Sequence, residues 1–536
     1  MPTTTPTRRA LLRGAAAAAT AAAAPPLSAP ALAQGAAARN TLRFVPHSNL
    51  ASIDPVGTTG YIVRNHGYLV YDTLFATDAE YRVRPQMVES WEGSGTDTTW
   101  TFRLREGLRF HDGEPVRARD CVPSLRRWGA RDSFGQTLMA AVGEMRALDD
   151  RTFQIRLARP FPLLLEAIGK LSSQVPFVMP ERFAAQDPNT AVTEAVGSGP
   201  YRFLRGEWVP GSQAVYARFD GYVPRQEPPS WAAGGKRALI ERVEWRIIPD
   251  PSTAAAALQT GEVDWYEQPA FDLLPLLGRS REIRIEQIDP VGSILMLRFN
   301  HLHPPFDNPG VRRAVQMAVA QRDYLQAVVG NERYFKECRS FFSCGTPLAS
   351  GEGAEGMRGD LEAARRMLRE AGYGSEPVVI ISPTDIPANH QQGVVTQDLL
   401  RRLGMNVEFV ATDWGSVLAR RANRNPPAQG GWSIFHTWWV GPDLANPALH
   451  APLRAHGAAA WPGWPTDEAL EALRTEFLNA PDEAAQRAIA RRIQARAAEV
   501  VPYVTIGQMW QPTAFRRNVQ DIVGGPVPLF WNVRKG

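Results

Sequence analysis

Cysteine is scarce in this chain, and neither sign of charge is in clear excess. Three cysteines occur among 536 residues, and none stands beside the export-signal cleavage site predicted after Ala33, where a lipid-anchoring cysteine would lie. Lysine and arginine together number 59, against 55 aspartates and glutamates. Nucleic-acid binding requires a concentrated positive surface. The sequence therefore predicts a protein with no lipid anchor and no nucleic-acid partner.

The first 33 residues have the pattern of an export signal. Arg8 and Arg9 precede two leucines and an alanine-rich stretch, and the segment ends in the small-x-small triplet Ala31-Leu32-Ala33. Its apolar part is too short and too weakly hydrophobic to cross a bilayer. Cleavage would remove three arginines and no acidic residue, which lowers the formal net charge from +4 to +1. Residues 1–33 are predicted to be a twin-arginine signal peptide, and the mature protein is expected to be soluble and periplasmic.

The cysteines that remain after export have a structural interpretation. Cys338 and Cys344 are close enough in sequence to close a small loop in an oxidising compartment, and we expect a disulfide between them. Two separate buried thiols are the alternative. A zinc site would need a further pair of cysteines or histidines, so no metal site is predicted. Cys121 is expected to be a core residue.

Periodic patterns divide the chain near residue 300. Before that point, short runs such as 100–104 and 153–157 alternate apolar and polar residues, which is typical of half-buried strands. After it, amphipathic stripes predict helices, with Asn308 and Asp360 in the positions of N-caps. Apolar β-like runs such as 378–382 lie between these helices. The second half is therefore predicted to consist of βα units around a sheet.

Familiar catalytic motifs are missing. The sequence has no HExxH helix, no GxSxG elbow and no GxxxxGK[ST] phosphate loop. A literal GxGxxG at 351–356 follows no hydrophobic strand and contains two acidic residues, so a surface loop is expected there. His301 and His303 have no carboxylate or cysteine cluster nearby, and we expect hydrogen-bonding roles for them. No catalytic residue is assigned, but a carboxylate pair cannot be read from one sequence, so an exported hydrolase of peptides or glycans stays open as the alternative function.

Several separated segments resemble one family of binding proteins. Residues 100–116 read WTFRLREGLRFHDGEPV, and 197–201 read GSGPY, similar to a GTGPY turn of that family. The similar segments, in chain order, are 71–75, 84–92, 100–116, 197–201, 258–264 and 299–314. Together they resemble the extracytoplasmic binding proteins of dipeptide, oligopeptide and nickel ABC importers, which form solute-binding family 5.

The resemblance implies both a fold and a function. The implied fold is α/β, a type II-like periplasmic-binding-protein fold of two lobes around a cleft. Lobe I would span 34–295 with an extra subdomain at about 80–190, lobe II 296–498, and residues 499–536 would return to lobe I. The implied function is that of a monomer, without a cofactor, that captures a small peptide-like solute and delivers it to the permease and ATPase of an ABC importer in the inner membrane. A haem or metal-chelate ligand is a third possibility, since some relatives use such ligands.

One segment resembles the part of this family that lines the cleft in lobe II. Residues 436–447, HTWWVGPDLANP, are similar to its GWxxDxPDP stretch, and Asp443 falls on the first aspartate. In peptide-binding members that carboxylate receives the α-ammonium group of the ligand. Here the spacing from tryptophan to aspartate is one residue longer and Asn446 replaces the second aspartate. A capping or turn-forming role is therefore the alternative for Asp443.

The remaining candidate ligand contacts come from both halves of the chain. Trp438 and Trp439 are neighbours, so in an extended segment one would face the cleft and the other the lobe interior. His436 precedes them in the same segment and is included as a ligand contact. Thr59 and Tyr61 resemble a pocket segment of lobe I, with an ordinary turn followed by a core tyrosine as the alternative.

Overall fold

The structure is a computed structural model that describes residues 40–480 and 482–536. The predicted signal peptide, residues 1–33, lies outside the described residues. Within the described ranges, no helix is long and apolar enough to cross a membrane.

The first lobe is built on a seven-stranded sheet. Its central strand, Thr41–Val45, pairs in parallel with a strand on either side. Every apolar residue of that strand is buried, because the sheet is covered on both faces. In order across the sheet the strands are Tyr201–Phe203, Gln213–Arg218, Arg242–Arg246, Thr41–Val45, Trp265–Tyr266, Thr513–Arg516 and Ile283–Glu286.

A four-stranded antiparallel sheet forms an additional unit of the first lobe. Trp100, Phe102 and Leu104 are buried and alternate with more exposed residues, as the period-two pattern predicted. In order the strands are Val88–Glu92, Thr99–Leu104, Thr152–Leu157 and Val142–Ala147. Helices and short strands complete the lobe: helices Tyr61–Val70, Ala118–Arg131, Ser133–Met139, Leu164–Ile168, Glu181–Ala184, Pro251–Thr260 and Leu274–Leu277, and paired strands Asp72–Thr73 with Phe177–Val178, Phe75–Thr77 with Val83–Pro85, and Val519–Gln520 with Arg534–Lys535.

The second lobe surrounds a six-stranded mixed sheet. In order its strands are Phe335–Lys336, Tyr503–Met509, Ser293–Phe299, Ile434–Val440, Pro377–Pro383 and Asn406–Thr412. Its helices are Pro309–Ala318, Gln321–Val328, Leu361–Glu370, Pro387–Arg402, Trp414–Arg420, Glu468–Leu478 and Glu483–Val500. The caps predicted at Asn308 and Asp360 are confirmed, since their side chains accept hydrogen bonds from the backbone of the first turn.

The boundaries between the lobes differ from those expected at 296 and 499. Strand Ser293–Phe299 lies wholly in the second sheet, and so does strand Tyr503–Met509, which pairs with it. The chain returns to the first sheet only with strand Thr513–Arg516. The two crossings therefore lie at 287–292 and 510–512, because hydrogen-bond pairing rather than the end of the last helix decides which sheet a strand joins.

Candidate functional site

A large cleft lies between the two sheets and is lined by both lobes. Its volume is about 1820 Å³, and its walls include Thr59, Gln136 and Tyr266 from the first lobe and Asp385, Trp414, Arg421 and Trp461 from the second. A smaller interlobe cavity of about 20 Å³ is lined by Tyr61, Trp438 and Trp439 as well as by Thr59, Arg421 and Trp461. The cleft is larger than the usual small-molecule site of about 300–1,000 Å³, and its walls carry both aromatic and polar side chains.

Tyr61 and Asp443 join the two lobes directly. The hydroxyl group of Tyr61, at the start of helix Tyr61–Val70, donates a hydrogen bond of 2.8 Å to Oδ2 of Asp443, a residue 382 positions away. The same hydroxyl accepts a 2.9 Å hydrogen bond from the backbone N–H of Val440. Tyr61 is 8% exposed and Asp443 is 3% exposed. These two candidates, far apart in the sequence, are thus hydrogen-bond partners across the two lobes.

Positive groups of the first lobe surround the carboxylate of Asp443. Burial raises its pKa to about 6, and this rise is opposed by the charges of Lys170 and Arg64. Lys170 in turn donates a 2.6 Å hydrogen bond to Asp132, and Arg64 donates one of 2.6 Å to Ser172. Asp443 lines neither cavity. Its carboxylate faces this buried network, which differs from the predicted role as an open acceptor for a ligand ammonium group.

Thr59 and Arg421 form a second contact between the lobes. Nη2 of Arg421 donates a 2.9 Å hydrogen bond to Oγ1 of Thr59, and Nε1 of Trp461 donates one of 3.3 Å to the same oxygen. Thr59 lies on the walls of both cavities, so the structure places this candidate on the cleft. Thr59 thus connects the loop before helix Tyr61–Val70 to two cleft residues of the second lobe.

Arg421 was not among the residues predicted from sequence, although a signal was present. It follows helix Trp414–Arg420, on which Trp414 and Val417 are buried. Arg421 continues that helical stripe at the spacing of three to four residues and is only 6% exposed. An arginine on the apolar face of an amphipathic helix needs a partner for its charge. The sequence alone did not distinguish it from the neighbouring Arg420.

Trp438 and Trp439 both reach the small interlobe cavity, although they lie on opposite faces of strand Ile434–Val440. The ring of Trp438 lies 5.1 Å from that of Tyr61, between centroids, and 6.0 Å from that of His47. The ring of Trp439 lies 5.4 Å from that of Trp461. Both tryptophans are under 10% exposed, and they form the aromatic floor where the lobes meet.

His436 is a lobe-interior residue in the structure. It is fully buried and lines neither cavity. Its Nε2 lies 2.8 Å from Oγ1 of Thr396, and that oxygen is also 2.8 Å from the hydroxyl of Tyr324. The position differs from the predicted ligand contact because strand Ile434–Val440 is central in the second sheet and helix Pro387–Arg402 covers the face that carries His436.

Acid should destabilise the fold partly through His436. Burial lowers its pKa to about 3, whereas an unfolded histidine titrates near 6.5. The unfolded state therefore binds a proton that the folded state does not bind, and the free energy of unfolding falls as the pH drops below about 6.5. We expect His436→Gln to make this loss shallower, by about 2–3 kcal/mol in the free energy of unfolding between pH 6.5 and 4.5. Urea unfolding of both proteins, referenced to pH 7.5, measures this, and parallel pH profiles would contradict it.

The cysteines and histidines form no metal centre in the described part of the chain. Cys338 and Cys344 are joined in a disulfide, and Cys121 is buried and free. His301 lies 3.2 Å from the carbonyl oxygen of Pro502, and His303 lies 2.7 Å from that of Arg424. No group of three or more His, Cys, Asp or Glu residues within 40–480 and 482–536 could hold a metal ion.

Two lobes that close on a cleft through polar contacts define a solute-binding architecture, and comparison with known proteins supplies the family. The model of bacterial extracellular solute-binding proteins, family 5 (middle region), matches residues 82–461. The chain therefore belongs to this family of solute-binding proteins. It is 38% identical over 515 residues to the probable peptide ABC transporter periplasmic-binding protein y4tO of Sinorhizobium fredii, covering 95% of this chain and 96% of that protein.

Solved structures share the fold at low sequence identity. The dipeptide-binding protein of a Pseudoalteromonas species, in complex with Met-Leu, superposes with a TM-score of 0.78 at 20% identity, covering 92% of this chain and all of that one. The binding protein AgaA of A. tumefaciens R10, in complex with agropinic acid, also gives 0.78 at 21% identity, covering 92% and 99%. The predicted two-lobe α/β fold is confirmed.

Proposed function

We propose that this chain is the solute-binding component of an ABC importer and captures peptides or peptide-like solutes in the cleft between its lobes. The observation that carries the proposal is a cleft walled by both lobes, with hydrogen bonds from Tyr61 to Asp443 and from Arg421 to Thr59 holding the lobes together. The name of the 38% identical relative supports a peptide importer. After export directed by the predicted signal peptide, residues 1–33, the monomeric protein would act in the periplasm. It would pass its ligand to a membrane permease and ATPase.

Ligand capture would work by a shift between open and closed forms. A solute that contacts both lobes stabilises the closed form, in which Thr59 and Tyr61 reach their partners. Trp461 contributes to the cleft wall and packs its ring 5.4 Å from both Phe435 and Trp439. No covalent chemistry is needed for this cycle, and the energy for transport would come from the separate ATPase.

The proposal predicts ligand-dependent closure that depends on the cleft wall. Thermal shift is used to screen dipeptides, tripeptides, amino-acid conjugates and sugars, and calorimetry measures the affinity of each hit. Small-angle scattering should then show a smaller radius of gyration when the hit is bound. Trp461→Ala should weaken the binding of a hit at least about 10-fold, since an aromatic contact on the cleft wall is lost. Trp91→Ala is the matched control, because Trp91 is 38% exposed and lies on the four-stranded sheet away from the cleft.

Chromatography of the same mixtures separates binding from the alternative hydrolase. A hit that is recovered intact after prolonged incubation, with the scattering change present, supports the binding protein. Time-dependent release of product from a peptide or a glycan, or the absence of any stabilising solute in the library, would overturn the proposed function.

A further inference from the structure

The disulfide loop, residues 338–344, contacts the segment that carries Asp443. Asp443 lies in a short helical turn, Gly441–Leu444. The hydroxyl group of Ser343 donates a 2.8 Å hydrogen bond to the carbonyl oxygen of the first residue of this turn. The backbone N–H of Ser343 donates one of 3.4 Å to the carbonyl oxygen of the last. One fully buried residue of the disulfide loop thus holds both ends of the turn.

The same turn is fixed against the first crossing between the lobes. The backbone N–H of Gly441 donates a 2.7 Å hydrogen bond to the carbonyl oxygen of Gly292, the last residue of that crossing. Nε2 of Gln508 donates to the carbonyl oxygens of Val291, at 2.6 Å, and Cys344, at 3.3 Å. The turn, the crossing and the end of the disulfide loop therefore form one hydrogen-bonded junction.

The beginning of the disulfide loop is anchored elsewhere in the second lobe. The backbone N–H of Cys338 donates a 2.7 Å hydrogen bond to Oε1 of Gln321, whose Nε2 donates one of 2.8 Å to the carbonyl oxygen of Cys338. The backbone N–H of Phe341 donates a 2.8 Å hydrogen bond to Oε1 of Gln494, and the ring of Phe341 is fully buried. These anchors do not involve the sulfur atoms, so we expect the loop to stay docked when the disulfide is absent.

The end of the disulfide loop depends more on the covalent bond. After Cys344 the chain continues through residues 345–356, which are all exposed or half-buried. The disulfide ties this end back to the anchored Cys338. A cross-link reduces the freedom of the chain that it closes, and stretches with few buried contacts open locally at low cost. The disulfide should therefore oppose local opening at Ser343, where the loop holds the turn.

We propose that the disulfide between Cys338 and Cys344 positions Asp443 for closure, through Ser343, and thereby raises the affinity for the transported solute. The proposal rests on the proposed function and concerns the interlobe hydrogen bond from Tyr61 to Asp443. Cys338, Ser343 and Cys344 line neither cavity, so they act on the turn and not on the solute. Without the disulfide, the turn has to be ordered at each closure, and the closed form is less populated.

Hydrogen exchange of the solute-free protein tests the positioning role. In the double variant Cys338→Ala/Cys344→Ala, backbone amides within 438–446 should exchange at least about 10-fold faster than in wild type, because local opening becomes easier. Amides of strand Thr41–Val45, in the first sheet, should keep the wild-type rate. Faster exchange that is confined to the disulfide loop, with 438–446 unchanged, would overturn the proposal. Circular dichroism establishes that the variant folds.

Cys121→Ala is the matched control, because Cys121 is fully buried and free on helix Ala118–Arg131 of the first lobe. It should match wild type both in exchange within 438–446 and in affinity. Thiol labelling of denatured, unreduced wild type should detect Cys121 alone. Detection of all three cysteines would overturn the proposal, because the bond on which it depends would be absent.

Affinity measurements connect the junction to solute capture. The probe is the screened solute that gives wild type its largest thermal shift. The double cysteine variant should bind it about 10-fold more weakly than wild type, a typical coupling between two sites. Ser343→Ala keeps the disulfide but removes the side-chain hydrogen bond to Gly441, and it should cause a loss of similar size.

Combining the changes tests the route through Ser343. If the disulfide acts through that residue, the triple variant should bind more weakly than wild type by less than the product of the two separate factors. A loss equal to that product, or wild-type affinity in the double cysteine variant, would overturn the proposal.

The two kinds of measurement separate this proposal from the proposed function. If no screened solute stabilises wild type, the proposed function fails, and exchange within 438–446 still decides whether the disulfide orders the turn. If wild type and the double cysteine variant bind equally well, the proposed function stands and the positioning role is wrong. Should the double cysteine variant not fold, Ser343→Ala is measured instead, and wild-type exchange and affinity in it would overturn the proposal.

Discussion

Replacing Asp132 by alanine is expected to lower the free energy of unfolding by about 3–5 kcal/mol, the usual cost of removing one partner of a buried ion pair. Asp132 is 2% exposed. Its Oδ2 accepts a hydrogen bond of 2.6 Å from Nζ of Lys170 and one of 3.1 Å from the backbone N–H of Gln174. Its Oδ1 caps helix Ser133–Met139, accepting from two backbone N–H groups at 2.9 Å. Among the described residues, the substitution would leave the buried ammonium group of Lys170 with the carbonyl oxygen of Ser173 as its one hydrogen-bond acceptor.

Urea unfolding with matched variants measures this loss. Asp112→Ala removes a carboxylate from an ion pair of the same length, 2.6 Å to Arg182, whose side chains are 31% and 48% exposed. It should cost less than about 1 kcal/mol. Adding Lys170→Met to Asp132→Ala should recover part of the loss, because the orphaned charge is removed. Similar losses of unfolding free energy for Asp132→Ala and Asp112→Ala would contradict the prediction.

The effect of Asp132 also extends to the cleft. Asp132, Ser133 and Gln174 all lie on the wall of the first lobe, and the ammonium group of Lys170 that Asp132 binds is one of the charges facing Asp443. Stability of this wall and the electrostatics of the interlobe contact therefore depend on one carboxylate.

Local rules were sufficient to predict much of the fold. The caps at Asn308 and Asp360 and the alternation at 100–104 depend on residues close together in sequence, and the structure confirms them. The lobe boundary expected at 499 could not be predicted from such local rules. Strand Tyr503–Met509 is buried throughout and would suit either sheet, so only its pairing with strand Ser293–Phe299 decides its lobe. Such pairing is a long-range property that periodicity does not report.

The candidate site was predicted as a set of segments and not as a set of contacts. Thr59, Tyr61, Trp438 and Trp439 do line interlobe space. The partner of Asp443 could not be read from the motif, because the motif describes one strand end whereas Tyr61 comes from a helix 382 residues earlier. His436 was grouped with its neighbours by position, although a central strand buries alternate residues inside the lobe.

Replacing Asp443 by alanine is expected to weaken ligand binding about 100-fold while the lobes stay folded, because the closed form would lose a buried charged hydrogen bond. In that form Tyr61 would lose its acceptor, and Lys170 and Arg64 would lose the carboxylate that offsets their charges. In the open form water could solvate all three groups. The substitution therefore acts on the equilibrium between the forms, and apparent affinity falls with the population of the closed form.

Comparison of free and N-acetylated ligands separates this closure role from the ammonium-binding role that the motif predicted for Asp443. If Asp443 holds the lobes together through Tyr61, Asp443→Ala should weaken both kinds of ligand by the same factor. Tyr61→Phe should then reproduce much of the loss, because it removes the same hydrogen bond and keeps the ring that packs on Trp438. If the carboxylate instead receives a ligand ammonium group, only ligands with a free amine should weaken, and Tyr61→Phe should bind them like wild type. Calorimetry on the three proteins decides between these results, and scattering of each variant with and without ligand reports whether closure has been lost.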